Sequence, residues 1–233
     1  MFTPSVLFPS FSYMAELLPF HLLAYYPFRG QFRFPLWAVL SVNGFFMSVQ
    51  FLLYSYQYSV NGDTRSLDIL VALMSIITYL ACVKADIGKL LFIYTLVVDY
   101  IMIVRGITVF WEIRFFMEPG ETYSLLDSPG KTIIRMIPFA VTAPFMLIFL
   151  NITKERVLRT RAPQLWRTIW LIPALTSFIV LLFTWDLNMI YVSGLAFLLA
   201  RVCLLIISFI VYYVLVSSLE SLKLQGEAEE RAR

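Results

Sequence analysis

The chain has 233 residues, 60% of them hydrophobic and only 14% charged, with a net charge of +3. A soluble domain of this size carries about 25% charged residues, so a water-facing globule is excluded and lipid must cover part of the apolar surface. The charge balance is too even to mark a nucleic-acid binder, and no basic run interleaved with aromatics suggests a groove reader.

A hydrocarbon core about 30 Å thick takes roughly 20 helical residues to cross. Seven apolar stretches of about that length predict spans at Phe8–Tyr26, Phe34–Tyr56, Leu67–Lys84, Lys89–Trp111, Ile133–Ile152, Arg167–Asp186 and Ile190–Val216. The runs are continuous, whereas strands of a membrane barrel alternate in short segments. Backbone groups in lipid must pair internally, which leaves helices. The expected fold is all-α, a polytopic transmembrane bundle of seven helices and one domain.

The first stretch opens MFTPSVLFPS, with no Lys or Arg. It lacks the basic region of a secretory signal and is expected to be a retained helix. Glu16 lies near its middle, with Pro19 and His21 following. The third span holds Cys82 and the seventh Cys203; neither has a CxxC spacing or a nearby His, so no metal site and no cofactor is expected. Asp99 lies near the middle of the fourth span. Arg105 is about 9 Å further along the helix axis, toward the outer end. Residues 112 to 128 (EIRFFMEPGETYSLLDS) predict the longest outer loop, acidic and aromatic, with a turn at Pro119–Gly120. Arg135 falls near the outer end of the fifth span, where its long side chain can snorkel to the interface. Arg201 lies near the middle of the seventh.

The basic residues sort by side. Arg29, Arg33, Lys84, Lys89, Lys154, Arg156, Arg159, Arg161, Arg167, Lys223, Arg231 and Arg233 fall on one face of a seven-span arrangement. Only Arg65, Arg114 and Lys131 fall on the other. Short cytoplasmic loops carry the excess of Lys and Arg, so the amino terminus is expected outside and the carboxyl terminus inside the plasma membrane.

An ionisable residue inside a span is costly and marks a functional site by default. Glu16, Asp99, Arg105, Arg135 and Arg201 are therefore the candidate ligand-binding or signalling residues. The simplest arrangement pairs Arg201 with Glu16 or Asp99, and the bland reading of such a pair is helix packing. There is no phosphate loop, nucleophile elbow or HExxH, so no catalytic residue is assigned. The last segment, SSLESLKLQGEAEERAR, is charged and helix-prone, with Leu215, Leu219 and Leu222 in a short coiled-coil-like spacing.

Three segments, LLPFHLLAYYPFRGQFRFPLW, WRTIWLIPALTSFIVLLF and ARVCLLIISFIVYYVLVSSLE, resemble the membrane-embedded sensor region of multi-span histidine kinases of the GHKL type from clostridia-like bacteria. The resemblance implies a sensor domain over residues 1–217 and the start of a cytoplasmic dimerisation helix over 218–233. It implies a homodimer through the seventh helix, an unknown ligand such as a peptide or small molecule, and a kinase domain outside this chain. His21, the one histidine, sits in the first span and cannot be a phosphoacceptor, so the chain itself is not expected to be an enzyme. A small transporter or channel subunit is the competing expectation, and a ligand-free assembly subunit a third.

Overall fold

The computed structural model describes residues 4–60, 65–116, 129–159, 163–185 and 188–232. Its helices are α1 (Pro4–Tyr25), α2 (Leu36–Ser59), α3 (Arg65–Cys82), α4 (Ile87–Phe116), α5 (Pro129–Arg159), α6 (Pro163–Ile169), α7 (Leu171–Trp185) and α8 (Asn188–Ala232). Each predicted apolar stretch is helical over most of its described residues. Five segments are long and apolar enough to cross a membrane: Val6–Phe28, Leu36–Ser59, Ile87–Phe116, Thr132–Val157 and Gly194–Ser218. The third and sixth stretches supply shorter apolar helices, Ile69–Cys82 and Trp166–Val180. Among the described residues the structure is all-helical apart from one isolated bridge, and its long apolar helices are compatible with embedding in a lipid bilayer.

Prolines set several boundaries. A 3-10 turn at Tyr26–Phe28 contains Pro27 and closes α1. Pro35, at φ −58°, precedes α2 in an extended conformation and begins it. The sixth stretch is split at Trp170. Pro173 explains the split: it has no N–H, and its ring would strike the carbonyl four residues back, at Ile169. The Ala174 amide resumes the pattern by donating to the Trp170 carbonyl at 3.2 Å.

The chain divides into two compact units, Met1–Ala85 with Trp111–Phe139, and Asp86–Phe110 with Ala140–Arg233. In the first, α2 packs against both α1 and α3. Its core is aromatic, with Phe28, Tyr54, Tyr79 and Val83 almost wholly buried. The rings of Tyr13 and Tyr54 are 4.0 Å apart and those of Tyr25 and Tyr79 5.3 Å. Gln50 on α2 reaches Ser75 on α3 at 3.5 Å, a polar contact inside the apolar layer.

The second unit is built around the first part of α4. Phe92, Ile93, Val97, Ile103 and Val104 are buried there with Met146 and Leu150 of α5. Trp166 of α6 packs edge-on against Phe92 at 5.6 Å. Apolar side chains left outward, such as Leu40, Phe45 and Leu52 on α2 and Leu199, Ile206 and Ile210 on α8, are what a lipid-facing surface requires.

Candidate functional site

The polar residues of α8 explain the site. Arg201, Ser208 and Tyr212 are spaced by seven and four residues, which keeps them within about 40° of one line along a helix of 3.6 residues per turn. All three are buried. On α4, Asp99 and Gly106 share a line in the same way, seven residues apart. These two lines meet in antiparallel order. Asp99 lies against Tyr212, Gly106 against Arg201 and Phe110 against Gly194.

At the first contact the Tyr212 hydroxyl donates to Asp99 Oδ2 at 2.7 Å, and Asp99 is 0% exposed. A carboxylate without such a donor would be very costly in an apolar layer. Asp99, Tyr100, Ser208 and Tyr212 line a cavity of about 10 Å³, room for about one water molecule. Tyr100 in turn shares a 2.6 Å hydrogen bond with Thr142 on α5. Four polar side chains, from Asp99 through Tyr100 and Thr142 to Tyr212, thus tie α4, α5 and α8 together in the second unit.

At the second contact Arg201 is 2% exposed. A β-carbon placed on Gly106 would stand 2.8 Å from the Arg201 Nε, so the absence of a side chain at Gly106 makes the space that the guanidinium uses. The Arg201 guanidinium lies over the Phe197 ring, 4.9 Å from its centroid. That direction follows from helix geometry, which tilts side chains toward the N-terminal turn. It carries Arg201 away from Tyr212. The sequence-based pairing of Arg201 with Asp99 is therefore not the one found: Tyr212 is the hydrogen-bond donor to Asp99.

Arg105 is half-buried, and its backbone carbonyl accepts the Thr108 hydroxyl at 2.8 Å. It lies six residues past Asp99, about 240° round α4, off the line that faces α8. Glu16 lies within α1, and its side chain falls outside the described residues, as does the loop at residues 117–128.

Arg135 belongs to the first unit and does not snorkel. Its Nε and Nη2 donate to Glu112 Oε2 and Oε1 at 2.7 and 2.8 Å. The pair is buried, Glu112 at 0% and Arg135 at 8% exposure. Glu112 is not in the outer loop, as its sequence position suggests, because α4 continues to Phe116. Opposite charge explains the extension, since the carboxylate needs a partner and one more helical turn delivers it. The fork-to-fork geometry is the strongest form such a pair takes. Among the described residues no group of three or more His, Cys, Asp or Glu could hold a metal.

No family model, curated protein or solved structure matches the chain.

Proposed function

We propose that this chain is a membrane-embedded sensor module that relays an extracellular or membrane signal through α8 to a cytoplasmic output. The observation that carries the reading is α8 itself. It is a single helix from Asn188 to Ala232, continuous from an apolar span into a charged segment. Within the span it is held to α4 by Asp99–Tyr212 and by the seat of Arg201 on Gly106. A helix docked through polar groups inside the bilayer has discrete arrangements, because breaking such contacts has a definite cost. A ligand biases them only by binding one arrangement more tightly than the other.

In this reading the amino terminus is outside the plasma membrane, as the distribution of Lys and Arg supports. The output is a GHKL-type histidine kinase carried by a homodimer, and the resemblance of three segments to such sensors supports that class. The Glu112–Arg135 pair, at the foot of the acidic aromatic segment, then serves as the fixed end of the ligand-facing surface. Arg135 does so as a positioning residue, since its guanidinium is engaged by Glu112.

The test is a fusion of the full chain to a GHKL kinase core, read by autophosphorylation in membranes. Tyr212→Phe and Arg201→Leu should each change basal output by several-fold. Unchanged output in both variants at equal expression rejects α8 as the relay. Solute flux through liposomes carrying the chain would move the assignment to a transporter.

A further inference from the structure

The connection between α1 and α2 and the one between α3 and α4 are stitched together. Phe32 and Val83 form an antiparallel bridge. The Arg33 amide donates to the Cys82 carbonyl at 2.9 Å, and the Lys84 amide to the Gln31 carbonyl at 2.7 Å. Arg33 adds a side-chain bond, Nε to the Val83 carbonyl at 3.0 Å. Arg29 is steadied over the Tyr26 ring, 5.2 Å from its centroid. Two short loops thus become one structured platform at one end of the first unit.

Alternation across the bridge decides what the platform presents. Successive residues of an extended segment point to opposite sides. Val83 is fully buried, while Arg33 and Lys84, one position away on each strand, are exposed. They are diagonal neighbours on the outward side, close enough for like charges to repel. Arg29 is exposed nearby in the chain. Among the described residues no carboxylate pairs with any of the three. Asp86, two residues past Lys84, is exposed and does not pair with it. Arg33 is fixed by its bond to Val83 and Arg29 by the Tyr26 ring, Lys84 is exposed beside the bridge, and among the described residues no carboxylate offsets their charge, a composition suited to an external anion.

The neighbouring side chains say where that anion sits. Trp37 is 71% exposed, and Phe34 and Leu36 are exposed beside it in sequence. Trp next to basic residues is the composition of a bilayer interface. A free phosphate has no use for such a rim, whereas a phospholipid fills it with its acyl chains. We propose that Arg29, Arg33 and Lys84 form a binding site for the headgroup of an anionic phospholipid, with Phe34, Leu36 and Trp37 against its chains. The proposal goes beyond the sensor reading and does not depend on it.

Attraction of a basic residue to an anionic headgroup surface corresponds to about fivefold in affinity per residue. The purified full chain in detergent is titrated with a fluorescent phosphatidylglycerol and, separately, with the phosphatidylcholine analogue. The expected result is tighter binding of the anionic lipid by about tenfold or more at low salt. Arg29→Gln and Lys84→Gln should each weaken it about fivefold, and the triple variant with Arg33→Gln about a hundredfold. The two single variants leave the Arg33–Val83 bond in place, so they decide the matter even where the triple variant fails to fold. Millimolar inorganic phosphate should not displace the lipid. Equal binding of both lipids, wild-type affinity in the single variants, or displacement by phosphate each overturns the proposal.

Discussion

Gly106 and Arg201 share one volume: where a β-carbon on Gly106 would stand, Nε, Cζ and Cδ of Arg201 lie at 2.8 to 3.1 Å. Gly106→Ala must push the guanidinium aside. Because the obstructing atoms end a flexible side chain, the expected stability loss is about 1 kcal/mol, the low end for overpacking. Gly88→Ala is a harsher case, since its β-carbon would collide with the backbone carbonyl of Trp166, which cannot swing away. A loss of about 3 kcal/mol is expected there. Gly44, in α2, has open space around it, so Gly44→Ala should be neutral or stabilising by about 0.5 kcal/mol. Unfolding of the three variants in mixed detergent micelles gives the order directly.

The Glu112–Arg135 pair makes a second prediction. Removing one partner strands the other charge in the interior, at a cost of about 3 to 5 kcal/mol. Glu112→Ala and Arg135→Ala should each show losses of that size. Glu112→Leu combined with Arg135→Leu should recover most of it, because an apolar pair strands nothing. A double-mutant cycle on unfolding free energies measures the coupling; simple additivity of the two single losses would show that the pair is not what holds these helices.

Tyr212→Phe removes only the donor to Asp99. Hydrogen bonds inside membrane proteins are worth about 0.6 kcal/mol on average and up to about 1.7, and a buried carboxylate acceptor places this one near the upper figure. Asp99→Asn should cost less, since an amide oxygen still accepts from Tyr212. Both losses should be insensitive to salt, because buried contacts are poorly screened. A loss for Tyr212→Phe that disappears at 0.5 M salt would contradict the buried geometry.

The two cysteines report on burial and lipid exposure. Cys82 is buried within protein, whereas Cys203 is exposed on the apolar stretch of α8. In detergent at alkaline pH, where water can reach the surface of α8, a maleimide should label Cys203 faster than the buried Cys82, because only a hydrated thiol ionises to the reactive thiolate. A charged, impermeant maleimide should label neither in intact vesicles. Fast reaction of Cys203 with the charged reagent would place that part of α8 in water.

How much of this was legible in the residues depends on range. The helices follow from hydropathy because the bilayer requires continuous apolar runs, and that requirement is local. The break at Trp170 interrupts a stretch that hydropathy reads as one span, although its cause, Pro173, is local. The end of α4 was not. Hydropathy falls at Glu112, but the helix is carried on by a carboxylate whose partner, Arg135, is 23 residues away. Nothing near Glu112 announces it. Asp99 and Arg201 were identified because charge in a span is conspicuous. Tyr212 was missed because tyrosine is common near membrane interfaces. Its signal was its phase, in line with Arg201 and Ser208 on one face of α8.

The length of α8 has a mechanical consequence. Forty-five residues make a rod about 67 Å long, more than twice the thickness of the hydrocarbon layer. The part past Ser218 extends about 20 Å. A lever of that arm turns a tilt of 10° inside the bilayer into a sideways travel of about 4 Å at its tip, approaching one turn of helix. A small rigid tilt within the apolar span is thus multiplied at the charged end of the helix, with no unfolding needed between them.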